Sequence, residues 1–247
     1  MRFRELFTST LHWEVYCFQN NVGRDCRPCR ADGEPVLLDV ALLVNDLMET
    51  IRATSAPRQF WLGIAGPPGS GKSTLTMALL RELPSCTIAI PMDGYHFTRA
   101  ELDGMDDPEE AHRRRGAPFT FDAQQFVEDV QRSRLSGDGE FPSFDHGRGD
   151  PVQSDIILSR ERHRLVIVEG NYLLLNETPW CRIRDLLDET WYLNVDPEIC
   201  KQRVRNRFLA TGRDEATANF RVAYNDGPNG ELVARESPAN ADRILTG

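Results

Sequence analysis

Apolar positions along the chain switch between short unbroken runs and wider stripes of helical period, with glycine or proline at many of the changes. The run Phe60-Trp61-Leu62-Gly63-Ile64-Ala65 predicts a buried strand, and the stripe through Leu75, Met77, Ala78, Leu79 and Leu80 predicts a helix that Pro84 stops. Upstream, from Pro35, the residues Leu37, Leu38, Val40, Ala41, Val44, Leu47, Met48 and Ile51 form a broad apolar helical face. Thr87 to Pro91 reads as a short strand, Leu165 to Val168 with Glu169-Gly170 as a central one, and Glu189 to Val195 as the next. Asp122 with Gln125 resembles a capping box, so a helix is expected to about Leu135, followed by a loop through residues 142–151. Thr178-Pro179 is expected to open a helix with Trp180, Ile183, Leu186 and Leu187 on one face. Asp196-Pro197 opens another that runs to Gly212, a last helix follows Asp214, and residues 241–245 read as a final short strand. This alternation predicts an α/β domain with a mostly parallel sheet flanked by helices. Ligands of such sheets bind outside the carboxyl ends of the strands.

One strand-to-helix junction carries chemistry. Gly66-Pro67-Pro68-Gly69-Ser70-Gly71-Lys72-Ser73 matches G-x-x-x-x-G-K-[ST] in full. Glycines at 66, 69 and 71 allow positive φ and close backbone approach, so successive N–H groups can face phosphate oxygens at the positive end of the new helix. Lys72 is then placed to reach the β- and γ-phosphates and Ser73 to put its hydroxyl on Mg²⁺, with Thr74 supporting the same turn. Asp93 and Glu169 also emerge at strand ends, so all three elements are expected to meet in one site. Glu169 stands where an acid can approach Mg²⁺, directly or through water; its alternative role is a solvated strand cap. Asp93 reads as a general base for an acceptor hydroxyl, or else as a turn cap. Arg203, Arg205, Arg207 and Arg213 lie on and just beyond one helix, either as fingers toward a transferring phosphoryl group or as a solvated surface. In residues 106–116 acids open a short helix and Arg113, Arg114 and Arg115 close it, which fits either the helix dipole or anion binding.

Composition narrows the partners. A chain of 247 residues with 40% hydrophobic content suits one domain plus an extension, and a net charge of −9 argues against a general nucleic-acid or membrane-surface binder. No apolar run approaches the roughly 20 residues of a membrane span, and the N-terminus lacks a signal-peptide core, so a soluble cytoplasmic protein is expected. Residues 1–34 read as an N-terminal extension, either flexible, or a poor targeting sequence, or upstream of the natural start, ahead of a domain over 35–247. The cysteines are expected to be reduced; Cys26-x-x-Cys29 with Cys17 and His12 could supply four zinc ligands, against a plain extension.

Taken together the motifs resemble a known group. Gly63 to Ser73, Met92-Asp-Gly-Tyr-His-Phe97, Arg115 to Asp122, Phe144-Asp-His146 with Asp150-Pro-Val152, and Val168-Glu-Gly-Asn-Tyr-Leu-Leu174 are similar, in kind and order, to the uridine kinase, phosphoribulokinase and pantothenate kinase group. Asn171-Tyr172 and Asn225-Asp226-Gly227-Pro228-Asn229 resemble its nucleoside/nucleotide kinase branch, also called fructose transport system kinase. The resemblance covers about residues 58–245. It implies a P-loop NTPase fold with an arginine-bearing lid helix, ATP with Mg²⁺, and a small hydroxylated acceptor such as a sugar, sugar acid or nucleoside. It further implies that Asp93 is the catalytic carboxylate, Glu169 the metal-side acid with Ser73, and Arg203, Arg207 and Arg213 lid residues. Tyr95, His96, Arg115, Phe144, Asp145, His146, Arg148, Asn225 and Asn229 fall on the acceptor side. The acceptor loops match neither uridine kinase nor pantothenate kinase closely, so the substrate does not transfer, although either activity proper is an alternative. A rival from another class is an NTP-hydrolysing switch acting on a protein partner. Assembly as a homodimer stays open.

Overall fold

Five strands form one sheet in the order β2-β5-β1-β6-β7: β1 is Phe60–Ala65, β2 Thr87–Pro91, β5 Leu165–Gly170, β6 Glu189–Asn194 and β7 Arg243–Thr246. β1 runs parallel to β5 and β6, and β5 parallel to β2, as unbroken apolar runs predict. The coordinates are a computed structural model that describes residues 39–56, 58–145 and 147–246. The predicted N-terminal extension, with His12, Cys17, Cys26 and Cys29, lies outside the described residues, as does His146. Among the described residues no helix is long and apolar enough to cross a membrane.

Side chains one residue apart on a strand face opposite sides, and the sheet uses both. Trp61, Val166 and Val168 join a buried cluster with Phe126, Val127 and Val130 of a helix over Ala123–Ser136 and with Tyr172 and Trp180. Burying a side chain such as Phe126 contributes about 1.5–3 kcal/mol. On the other side Leu62, Ile64, Leu165 and Ile167 are equally buried, and α2 (Lys72–Glu82) packs there, backed by α1 (Val40–Ala53). The remaining helices, in chain order, are α3 (Arg99–Asp103), α4 (Pro108–Arg113), α5 (Ala123–Ser136), α6 (Cys181–Arg184), α7 (Pro197–Ala210), α8 (Glu215–Arg221) and α9 (Gly227–Glu236).

Three local expectations are corrected and a fourth is refined. The stretch over residues 142–151 is no simple loop: β3 (Gly139–Asp145) and β4 (Asp150–Leu158) pair antiparallel as a separate two-stranded sheet. Pro142, which lacks an N–H, sits where the register shifts between Phe141 and Ser143, so the proline that suggested a loop marks an irregularity inside a strand. The capping box at Asp122 is half formed. Its Oδ1 accepts from the Gln125 N–H at 2.9 Å, but the Gln125 amide donates to Asp129 Oδ1 and the Asp122 N–H to the Tyr95 carbonyl. A complete box stands instead at Thr98 and Glu101. The helix expected after Pro179 is only Cys181–Arg184, because Asp188 turns back to β1, donating to the Trp61 carbonyl at 2.8 Å and accepting its N–H at 2.9 Å. The helix expected after Asp214 is present and continuous, with a wider π turn over Val222–Asp226 between α8 and α9 that carries Tyr224, Asn225 and Asp226.

Candidate active site

The register sets the site. Ala65 lies level with Gly170 and Pro91 level with Glu169, so the loop after β1, Glu169 near the end of β5, and Asp93 two residues past β2 open side by side. In the loop, Gly69 and Gly71 take φ of 84° and 96°, a region that side chains rarely adopt. Gly66 serves by close approach instead, since a Cβ there would stand 2.7 Å from Ser70 Oγ and 3.1 Å from the Leu193 carbonyl. No side chain caps the α2 N-terminus at Gly71, so its first N–H groups remain for a ligand. Pro67 and Pro68 lie against Gly230 of α9, and Gly69 against the Cys200 carbonyl of α7, so two helices back the loop.

Lys72 is buried, and its Nζ donates to the carbonyls of Gly66 at 2.8 Å and Pro67 at 3.0 Å. Burial lowers its pKa to about 8 against the opposing pull of Glu169 and Asp93. Burial also raises Glu169 above the usual carboxylate range, and Lys72 offsets this in part. The Ser73 hydroxyl lies 3.2 Å from both Glu169 carboxylate oxygens, a hard oxygen pair suited to Mg²⁺, while Thr74 is exposed beside it. The buried Ser70 hydroxyl has no protein partner, and a Cβ at Gly71 would meet nothing within 4 Å. An uncapped helix end, an orphan hydroxyl and an ammonium resting on backbone carbonyls together fit a polyphosphate and its cation.

Asp93 is half-buried on the turn Met92–Tyr95, and its charge acts on both Lys72 and Glu169. Its carbonyl accepts from the Nδ1–H of His96 at 2.8 Å, which fixes that tautomer. The His96 ring lies between Phe121 and Phe144, with centroids 4.0 Å and 4.8 Å away. Gly94 packs on the Pro142 carbonyl, so the β3–β4 hairpin backs the turn. Arg115 fastens the hairpin tip, pairing with Asp150 at 2.9 Å and donating to the carbonyls of Gly149 and Phe97. Tyr95 points away into the core, where its hydroxyl donates to Asp129 at 2.9 Å. Asp145 Oδ1 accepts the N–H groups of Gly147 and Arg148 at the hairpin tip, and the Arg148 side chain is largely exposed. Asn225 and Asn229 are buried, bonded to Arg114 and to the carbonyls of Arg115 and Gly116.

The four arginines on and just past α7 differ. Arg203 Nη1 donates to the Gly69 carbonyl at 3.3 Å, bracing the loop. Arg205 is tied to Glu215 and Asn219, both at less than 3.0 Å. Arg207 is exposed on the same helix yet its charge reaches Lys72, and Arg213 is exposed just past Gly212, which ends the helix region with φ 81°. Sequence reasoning did not separate Arg114 from its neighbours, and marked Tyr172 only as half of the Asn171-Tyr172 motif, with no role; its buried hydroxyl donates to the Gly116 carbonyl. The arginine triplet was the only signal for the first; the second sits three residues past Glu169 in an apolar run.

No family model matches the chain. A Schizosaccharomyces pombe protein provisionally named uridine kinase C227.14 is 44% identical over 183 residues, covering 70% of this chain and 77% of that protein. The chain belongs to the uridine kinase and phosphoribulokinase group of P-loop kinases. An Aspergillus versicolor relative of the kinase, named ATP-dependent kinase-like protein notR', is 42% identical over 151 residues and covers 58% of the kinase and 87% of its own length. The crystal structure of a Silicibacter sp. TM1040 protein, provisionally named fructose transport system kinase, superposes on the kinase with TM-score 0.73 at 28% identity, covering 84% of one and 98% of the other. The kinase therefore has the P-loop fold, and P-loop kinases use ATP, generally with Mg²⁺.

Proposed function

We propose that this kinase transfers the γ-phosphate of ATP to a hydroxyl of a small acceptor, a sugar, sugar acid or nucleoside. The observation that carries the reading is Asp93. Its carboxylate is close enough to Lys72 and Glu169 to act on both, and the turn that carries it also carries His96, stacked on Phe144 of the hairpin. The acceptor oxygen bonds to the γ-phosphorus as the β,γ-bridging bond breaks, ADP leaves, and Asp93 takes the hydroxyl proton. Gly66 to Thr74 hold the nucleotide phosphates, with Lys72 moving from backbone carbonyls to phosphate oxygens. Ser73 and Glu169 would hold Mg²⁺, which would supply neutralisation of the phosphate charge. Arg207 and Arg213 are free of ion pairs among the described residues and stabilise the transferring charge, while Arg203 keeps the loop in shape.

A phosphorylated-product screen of a mixed metabolite pool, read by mass, tests this. A gain of one phosphoryl mass on a hydroxylated metabolite, dependent on ATP and Asp93, is the expected result. ATP turnover that ignores every small acceptor and rises only with a protein partner would sink it. Uridine as acceptor is a second reading, favoured by the name of the S. pombe relative.

A further inference from the structure

Three consecutive arginines close α4, and their charges are met in different ways. Arg113 pairs with Glu110 and lies 4.8 Å over the Tyr224 ring. Arg115 pairs with Asp150 at 2.9 Å. Arg114, between them, has no carboxylate within ion-pair distance among the described residues. Its Nε donates to Asn225 Oδ1 at 3.3 Å and its Nη2 to Asn229 Oδ1 at 3.2 Å, while Nη1 enters neither bond. Both amides are neutral acceptors, and the Tyr224 ring 5.9 Å from its Cζ is neutral too, so these neighbours orient the guanidinium without supplying a counter-charge.

The clamp is firmly built. Asn225 and Asn229 are only 1% and 2% exposed, and their amide nitrogens donate to the Arg115 carbonyl at 2.8 Å and the Gly116 carbonyl at 3.1 Å. Tyr172, just past the end of β5, donates its hydroxyl to the same Gly116 carbonyl. Arg114 is thereby held beside Tyr172, just past the carboxyl end of β5, and the charges of Asp226, Asp93 and Arg114 all act on the Tyr172 hydroxyl. The arginine whose charge reaches Lys72 is a different one, Arg207. The other nearby carboxylate, Asp226, is faced by Arg221 and Arg207. A cation oriented by two buried amides and left without a counter-charge is arranged for an anion that arrives with a ligand.

We infer that Arg114 anchors an anionic group of the phosphate acceptor, so that the acceptor is a hydroxylated carboxylic acid or a sugar phosphate and not a neutral sugar or nucleoside. This rests on the phosphotransfer reading above and narrows its substrate class. Carboxylate and phosphate monoester share the chemistry that a guanidinium edge recognises, two oxygens accepting parallel N–H bonds.

The test offers MgATP with three acceptor panels: sugar acids and small hydroxy acids, sugar monophosphates, and neutral sugars with nucleosides, each followed by ADP release and product mass. Turnover is expected in one of the two anionic panels, and which one responds separates carboxylate from phosphate. With the responding acceptor, Arg114→Gln should raise KM about 10- to 100-fold, the loss of a charge-assisted hydrogen-bonding pair, while KM for ATP changes less than about twofold. Arg114→Lys, which keeps the charge but loses the fork, should recover part of the loss. Higher kcat/KM on a neutral sugar or nucleoside overturns the inference and leaves phosphotransfer intact, and so does an Arg114→Gln effect on ATP equal to that on acceptor. No phosphorylated product from any panel removes the phosphotransfer reading, and the inference with it.

Discussion

Gly69 and Gly71 share a left-handed backbone, with φ of 84° and 96°, yet the space beside them differs. A Cβ on Gly71 would meet nothing within 4 Å, so Gly71→Ala incurs only the backbone term, about 1–2 kcal/mol. A Cβ on Gly69 would stand 2.4 Å from the Cys200 carbonyl oxygen and 3.1 Å from Val204 Cγ2. Backbone of α7 must then move, and overpacking of this kind adds about 1–3 kcal/mol. Gly69→Ala is therefore expected to lose about 2–5 kcal/mol in all, exceeding Gly71→Ala by about 1–3 kcal/mol, or roughly 3–10 °C in Tm at this chain length. Urea unfolding followed by tryptophan fluorescence measures it, since Trp61 and Trp191 are buried in β1 and β6. Both variants are compared without nucleotide, so lost binding does not enter. Equal losses, or a larger loss for Gly71→Ala, would show that the loop does not rest on α7 as described.

Asp93→Asn should retain ATP binding within a few-fold while kcat falls by about two to four orders of magnitude, as for loss of a general base; undiminished turnover removes Asp93 from the mechanism. Glu169→Gln should raise the Mg²⁺ concentration needed for half-maximal rate, and a magnesium titration unchanged from wild type would dissociate Glu169 from the metal. Asp188 opposes its own burial with the Arg134 guanidinium, the Trp61 N–H and Arg58, which hold its carboxyl below the usual aspartate range. The unfolded chain then binds more protons between the two values, so this stabilisation is full above the ordinary aspartate pKa and is lost as pH falls through the folded one. Asp188→Asn should cost about 2–4 kcal/mol at pH 7 and flatten the acid limb of a stability–pH curve; an unaltered limb would assign the acid sensitivity elsewhere.

Much of this architecture is legible in the chain because its signals are local. Strand β1 is a run of six largely apolar residues and β5 a run of four followed by Glu169 and Gly170, short lengths bounded by glycine that suit a parallel core strand. The glycine-rich loop, with Gly69 and Gly71 at positive φ, is read from spacing alone. What was not legible depends on partners far away in sequence. The hairpin was hidden by Pro142, Gly147 and Gly149, whose breaks outweigh the alternation around them. Tyr95 and His96 are neighbours with equal claim on an acceptor, and only tertiary packing sends one to Asp129 and stacks the other between Phe121 and Phe144. Likewise no rule of periodicity tells Arg114 from Arg113 and Arg115, since the distinction lies in Glu110, Asp150 and an asparagine pair about 110 residues away.

The hairpin of β3 and β4 shares no strand pairing with the five-stranded sheet, and Arg115 buttons its tip to the Phe97 carbonyl. The spacing between the phosphate loop and Asp93 is set elsewhere, by the register of β1, β5 and β2. The turn from Asp145 to Asp150 can therefore lengthen or change composition without stretching the distance over which a phosphoryl group must travel. Under the proposed function, any acceptor contacts made by the hairpin tip are therefore mechanically separable from the geometry of phosphoryl transfer, and a grafted hairpin tip that left ATP turnover geometry intact would show it.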